Sequence, residues 1–528
     1  VNDISLDDPI SAAPAADIPF PVASDTAPPD DLPGLRADML SGHFVGRNDI
    51  VLADDFAAFL GDNAATSVRL WFGSDLGRRL LVDMEALRGV LDRDIAAIDA
   101  ILSEQLDAVI HETRFRRLEG AWRGLAWLVD GVELGSKLKV KAMNVAWAEI
   151  CRDLERAVDF DQSQLFRKIY EDEFGTPGGE PFGLMIIDHE VRHRPSASAR
   201  TDDVNALAQL CGIAAASFCP TILAASPALL EAEYFADLNN VSDLTRPLRD
   251  ADHARWRSLG TRPDMRFIGI ALPRLLARPP WEADGTRADN FAYAEYAPTA
   301  EHRVWMNPAF AFAVVVARAF AQYAWPADVR GVEIDRVGGG LVDGAPIEPF
   351  RTDRGHTWVR MPVEIIWNDR QERELLDAGL MPLSAIPYSE ELVFGAVRSL
   401  MTPQRYSVGP TANIADANAR LSSQINSILC ASRFAHCLKM KGRQMVGSFK
   451  TADEIQRTLQ QWLTTYINGN LNSTGETRAR FPLVNGRVQV NEIASKPGSF
   501  GCTLHLQPHY QLDDVSASFQ LVTDLGGR

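Results

Sequence analysis

Residues 189–193 read His-Glu-Val-Arg-His, two histidines with three residues between them and a glutamate beside the first. On a helix that spacing stacks both imidazoles on one face, where they bind zinc while the glutamate serves as the general base of a hydrolase. The chemistry therefore demands a helix. The motif instead follows directly on FGLMIID (residues 182–188), a short apolar run of strand type, and Pro195 stands two residues past His193, where a helix could not continue. Glu231 and Glu233 are the candidates for a third ligand, and nothing in their spacing singles them out. No metal and no catalytic residue is expected here.

Other patterns that could do chemistry are weaker still. Val337-Gly338-Gly339-Gly340 is neither a dinucleotide fingerprint nor a P-loop, and it reads as a tight loop needing unusual backbone angles. There is no GxSxG elbow, and no Cys/His pair can be argued from spacing. The six cysteines (151, 211, 219, 430, 437 and 502) form no CxxC pair, so they are expected to be core thiols of a reducing compartment. Lys439, Lys441 and Arg443 form the clearest basic cluster; beside a helix end they could neutralise its carbonyls or meet an acidic partner. Neither an enzyme nor a cofactor is expected.

Composition narrows the class further. The chain has 528 residues, 46% apolar and 23% charged, a globular balance with length for about three domains. Lys plus Arg number 53 against 70 Asp plus Glu, a net charge of -17, which argues against nucleic-acid binding. No apolar run approaches the roughly 18 residues of a membrane span, and the first residues lack a basic region followed by an apolar one. The expected location is cytoplasmic, without membrane insertion.

The elements follow from periodicity. The first 35 residues hold seven prolines and seven aspartates with no Lys or Arg, and a disordered acidic tail is expected over residues 1–37. DDFAAFL suggests a short helix and SVRLWF a strand. Met84, Leu87, Leu91, Ile95, Ile98, Leu102, Leu106 and Val109 then recur in steps of three and four, a long amphipathic helix. A second helix carries the stripe Phe115, Leu118, Trp122, Leu125 and Val129, with Gly120 and Gly124 on a neighbouring row that would let another backbone approach closely. Beyond it KLKVKAMNV reads as a strand, EICRDLERAV as a helix, FGLMIID as a strand and VNALAQLCGIAAASF as a helix. FIGIALP is a strand, NPAFAFAVVVARAFAQYA a helix and VEII a strand. This alternation implies an α/β layer arrangement. Residues 413–467 turn helical. At the end Phe500, Cys502, Leu504 and Leu506 alternate with Gly501, Thr503, His505 and Gln507, and Val515, Ala517, Phe519 and Leu521 alternate with polar residues. These are two half-buried strands, which need either the chain's own sheet or another chain.

Several stretches resemble a known family. LSEQLDAVIHETRFRRLEGAWRGLAWLV, DLERAVDFDQSQLFRKIYEDEFGTPGGEPFGLMIIDHEVRHRP, RFIGIALPR, NDRQERELLDAGLMPL, ANARLSSQINSILCASRFAHCLK and LHLQPHYQLDDVSASFQLV resemble, in order, the large sheath subunit of bacterial type VI secretion systems (the TssC/VipB family). The likeness spans roughly residues 77–525. Where family members usually carry an aromatic residue this chain has His189, which makes the zincin match a coincidence. The resemblance implies phage-tail-sheath-like core domains of mixed α/β (α+β) type, with an N-terminal helical segment and C-terminal β-strands. It implies a helical partner-binding segment at 38–135, an α/β sheath core at 136–410 with a helical part at 411–480, and inter-protomer strands at 481–528. The implied partners are a small sheath subunit (TssB/VipA-like), other sheath protomers, an Hcp-type inner tube, a baseplate, and a ClpV-type ATPase for disassembly. Leu87, Leu91, Ile98, Phe115, Leu118, Trp122 and Leu125 are then candidates for the small-subunit interface. Leu504, Leu506, Val515, Phe519 and Leu521 are candidates for the inter-protomer strands, and Lys439, Lys441 and Arg443 for a tube-facing cluster. A sheath of another phage-tail-like particle is the alternative.

Overall fold

The structure is a computed structural model. It describes residues 34–528 apart from 43–49, 133–137, 405–411, 446–450, 493–499, 510–518, 525–528 and the short gaps at 62, 177, 198, 289, 333–335, 353–354, 356, 387–388 and 471–472. The expected acidic tail lies outside the described residues up to residue 33, and residues 34–37 are the first turn of a helix rather than tail. The chain divides into two compact units. One comprises the residues up to Ile110 with Trp281–Tyr296, the other His111–Pro280 with Ala297–Arg528.

The first unit is helical: α1 (Gly34–Leu40), α2 (Ile50–Gly61), α3 (Ala64–Phe72), α4 (Ser74–Leu80) and the long α5 (Met84–Ile110). SVRLWF, expected as a strand, lies in α3. The Asn63 side chain caps that helix by accepting from the Thr66 amide, and Trp71 and Phe72 are drawn into a core with Leu35, Leu80 and Leu87. A short β-like run folds as a helix when its tertiary neighbours require it. Asp94 of α5 sits inside this unit, 4% exposed. It accepts Arg36 Nε and a second guanidinium nitrogen, both at 2.8 Å, and Trp71 Nε1 at 2.8 Å. Three donors satisfy a carboxylate that would otherwise be costly to bury.

The second unit begins with α6 (Thr113–Asp130) and α7 (Trp147–Arg156). Its centre is a parallel sheet of β1 (Met185–Val191), β2 (Thr221–Ala225), β3 (Ile268–Leu272) and β4 (Met381–Pro382), in that order. β2 and β3 are buried along their whole length, as parallel strands covered on both faces must be. One face packs Leu223, Ile268 and Ile270 against α8 (Asp203–Ser217). The other packs Ile222 and Ala271 against α9 (Pro308–Tyr323). α9 is apolar nearly all round because it has two jobs. Ala309, Phe312 and Val315 belong to the core that includes Ile222 and Ala271, while Phe310, Val314 and Ala317 pack with Leu128 of α6.

Two expected strands are absent among the described residues. The described part of KLKVKAMNV forms no strand, and its Lys139 and Lys141 pair with Glu180 and Glu173. VEII contributes one isolated bridge, Leu275 with Val363. Helices α10 (Ala412–Ser422), α11 (Ile425–Met445) and α12 (Ala452–Thr464) occupy the stretch expected to be helical.

The chain ends in an antiparallel sheet of three strands rather than two, β5 (Leu483–Glu492), β6 (Phe500–Pro508) and β7 (Phe519–Asp524), in the order β5-β6-β7. β5 was missed although Val488 and Val490 carry the period-two signal; Gly486 and the polar residues between them weakened it. Val488, Val490, Cys502, Leu504 and Leu506 face a core with Ile455, Leu459 and Leu463 of α12 and Phe434 and Leu438 of α11.

Candidate assembly surfaces

Helix α6 starts at Glu112, whose carboxylate accepts the amides of Arg114 (2.6 Å) and Phe115 (2.9 Å), an anion placed at a helix N-terminus. The face it turns into its own unit is the glycine row: Gly120, Gly124 and Leu128 are its buried residues. A Cβ at Gly120 would lie 2.2 Å from the Trp305 carbonyl oxygen, and one at Gly124 would lie 2.5 Å from the Phe310 ring. Only glycine permits either approach. Glu119 ties the helix down further through Arg278 (2.6 Å) and pairs along the helix with Arg123 (2.7 Å), and Trp127 Nε1 donates to the Gly344 carbonyl at 2.9 Å.

The apolar stripe points outward. Phe115 is 43% exposed, Leu118 56% and Trp122 66%, and Leu125 and Val129 are half-buried at its margin. The sequence places stripe and glycines on neighbouring rows, and the structure gives the intrachain contact to the glycines. In the first unit α5 divides its own stripe in the same way. Leu87, Leu91 and Ile98 belong to the unit's core, whereas Met84, Ile95 and Val109, about three and four turns apart, are exposed. Large apolar side chains left outward in rows, beside a packed core, mark protein–protein surfaces.

Of the C-terminal candidates, Leu504 and Leu506 are buried, and in the register of β6 and β7 they stand opposite Leu521 and Phe519. Val515 lies outside the described residues. Lys439, Lys441 and Arg443 are all engaged within the chain. The Lys439 ammonium donates to the Tyr170 hydroxyl at 3.0 Å and lies 3.8 Å from the Phe174 ring centroid. Lys441 lies over Trp462, and Arg443 donates to the carbonyls of Phe174, Gly175 and Thr176. Those carbonyls close the π-helical segment Arg167–Gly175, so of the three only Arg443 meets a helix end, that of another element.

His189-Glu190-Val191-Arg192-His193 lies on β1 and its exit. His189 stacks on Trp147 with centroids 4.4 Å apart, and its Nε2 is 3.1 Å from Asp203 Oδ2. Asp203 also accepts Trp147 Nε1 (2.8 Å), the Thr201 hydroxyl (2.9 Å) and the Arg192 amide (3.0 Å). Burial works to raise its pKa, yet His189, Trp147 and Thr201 together hold it below the ordinary aspartate value. Glu190 is gripped by Arg274 at 2.6 and 2.8 Å. Burial opposes its charge, but the guanidinium keeps it ionised below the usual glutamate range. His193 stacks on His253 at 3.8 Å, and burial, then His253, pushes it down to about 4. The two histidines thus serve separate contacts, and among the described residues no group of three His, Cys, Asp or Glu is arranged to hold a metal. Asp203, Arg274 and His253 are invisible to motif reasoning, since the motif residues they contact lie between 11 residues (Arg192–Asp203) and 84 residues (Glu190–Arg274) away in the chain. No described helix is long and apolar enough to cross a membrane.

Outward apolar helix faces beside a doubly covered α/β layer are the feature of a protein that packs against other chains. Comparison with known proteins agrees. Residues 92–401 match the VipB (EvpB) tail sheath N-terminal domain and residues 414–525 the VipB tail sheath gpW/gp25-like domain. The type VI secretion system sheath protein TssC1 of Pseudomonas aeruginosa is 37% identical over 465 residues, 87% of this chain and 90% of that protein. The crystal structure of a sheath tail protein from Desulfitobacterium hafniense is similar over 60% of this chain and 59% of that one, at 10% identity and a TM-score of 0.28. The chain belongs to the TssC/VipB family of large contractile-sheath subunits of type VI secretion. Membership implies assembly with a small sheath subunit and with other protomers, in a family that is structural rather than enzymatic.

Proposed function

We propose that Phe115, Leu118 and Trp122 of α6, and Met84, Ile95 and Val109 of α5, receive helices of the small sheath subunit, with Leu87, Leu91, Ile98 and Leu125 supporting those faces from behind or at the margin. The observation that carries this is the division of labour on α6. Its glycine face makes the intrachain contact, so the stripe is left for another chain. The C-terminal sheet then links protomers: strand addition supplies backbone hydrogen bonds that persist while rigid bodies rotate during contraction. The assembled sheath surrounds an Hcp-type tube in the bacterial cytoplasm, is anchored on a baseplate, and is dismantled by a ClpV-type ATPase after it has driven the tube outward. We assign no tube contact to Lys439, Lys441 and Arg443, whose charges are engaged inside the chain.

The test is co-expression with the candidate small subunit. A soluble heterodimer that forms long tubes by negative-stain microscopy is the expected result, with the large subunit alone aggregating through its exposed stripes. A stable monomer that ignores the small subunit would overturn the reading.

A further inference from the structure

The two edges of the C-terminal sheet are not equivalent. Strand β5 forms one edge and β7 the other, and the outer side of β5 is bonded at Leu483, Gly486, Val488 and Val490 by groups that are not a strand. At its start the Leu483 amide donates to the Tyr466 carbonyl, and the Asn468 amide donates to the Leu483 carbonyl at 2.8 Å. This is a single parallel bridge, Ile467 with Leu483. Beyond it two glutamines of α12 take over. Gln460 donates through Nε2 to the Gly486 carbonyl at 3.0 Å and accepts the Val488 amide on Oε1 at 2.8 Å. Gln456 accepts the Val490 amide at 3.0 Å. The Gly486 amide is taken by the neighbouring Asn485 side chain at 2.8 Å.

The pattern has a definite chemical meaning. A residue in a parallel strand bonds through its own N–H and C=O to two residues of the neighbouring strand that are two apart. The primary amide of Gln460 reproduces that pair on Gly486 and Val488, continuing the bridge that Ile467 begins. An amide side chain carries a planar donor and acceptor like a peptide unit, so it can stand in for one. Open strand edges invite other strands, and folded proteins close them in several ways.

We infer that Gln456 and Gln460 seal the β5 edge, so that an extended strand from another protomer can join this sheet on the β7 side alone. The inference rests on the reading that the sheet links protomers, and it gives that linkage a direction. Each sheet accepts on one side, so links propagate along one path and cannot branch through β5. Among the described residues no strand pairs with the outer side of β7.

The experiment uses the full chain co-expressed with its small subunit, as wild type, as Gln456→Leu/Gln460→Leu, and as Gln456→Glu, which keeps the one acceptor that Val490 needs. Amide exchange read over residues 486–491 should show Val488 and Val490 protected in the wild type and in Gln456→Glu, and both fast in the double variant. A labelled peptide with the β5 sequence LVNGRVQVNE should bind the double variant at least tenfold more tightly than wild type, and light scattering should show the variant heterodimer self-associating. Fast exchange of both amides in the wild type would overturn the inference. So would a folded double variant with two exposed amides that gains neither peptide binding nor mass. Should the double variant lose its circular-dichroism signal, Gln456→Leu alone, which removes one bond, is read in its place. Failure of the linkage itself shows separately, as wild-type heterodimers without tubes while the exchange result stands.

Discussion

Replacing Trp122 by alanine separates an interface residue from a core residue. In the isolated chain the side chain is 66% exposed, so its removal takes little from the fold. An aromatic of this size offers up to ~250 Å². Covering the exposed two-thirds by a partner, at about 25 cal/mol per Å², corresponds to about 4 kcal/mol as an upper bound. Alanine recovers part of that contact and association retains only a surplus of buried area, which leaves about 3 kcal/mol, or roughly a hundredfold in Kd. The contrast is Gly124→Ala. It adds one methyl 2.5 Å from the Phe310 ring, an overpacking that costs about 1–3 kcal/mol of fold stability. The assay is titration of the small subunit against each variant, with thermal melting on the same preparations. Trp122→Ala should weaken the heterodimer about a hundredfold, as that surplus converts, with an unchanged melting temperature; Gly124→Ala should lower the melting temperature. Normal affinity in Trp122→Ala, or a large fall in its stability, would refute the assignment of the stripe to a partner.

Three further outcomes are expected. Truncation after Pro508 removes β7, and should leave the soluble heterodimer while abolishing long tubes; normal tubes would exclude the linkage, and loss of the heterodimer would make β7 a part of the fold alone. His189→Tyr keeps a ring stacked on Trp147 and should melt close to wild type, whereas Asp203→Ala strands the Trp147, Thr201 and Arg192 donors and should cost about 3 kcal/mol in urea unfolding. His193 and His436 are buried and held down to about 4 by burial first, so the unfolded chain binds more protons between roughly pH 6.5 and 4. Their contribution is fully present above about pH 6.5 and is lost on acidification, by up to about 3 kcal/mol each. Unfolding followed from pH 7.5 to 4.5 should show this fall, and His436→Asn should flatten it; a profile without slope would contradict the burial of neutral imidazoles.

The parts legible in the sequence were those with an unambiguous period and a single possible partner. β1, β3, α8 and α9 lie where the alternation of apolar runs placed them, whereas β2 (Thr221–Ala225), five residues directly after a helix, was not among the expected strands. SVRLWF and VEII failed for the opposite reason: a run of four to six β-favouring residues carries no information on whether a neighbouring strand exists, and α3 shows what happens when none does. Asp203 and Arg274 were illegible because buried polar networks are made of contacts distant in sequence, such as Arg274 with Glu190 and Glu364.

α6 sets the limit most clearly. Its periodicity fixed two adjacent rows, one of large apolar residues and one of glycines, and hydrophobicity alone would bury the larger row against the chain's own core. The structure buries the smaller row, since a backbone at Trp305 and a ring at Phe310 approach more closely than any side chain would allow. Close approach holds the helix with little apolar area, and so frees Phe115, Leu118 and Trp122 to be covered by another chain. Which row faces inward depends on the surface opposite, and that surface lies almost two hundred residues further along the chain. A helix with a glycine row beside an apolar stripe is therefore better read as having two partners, one held by proximity and one by area.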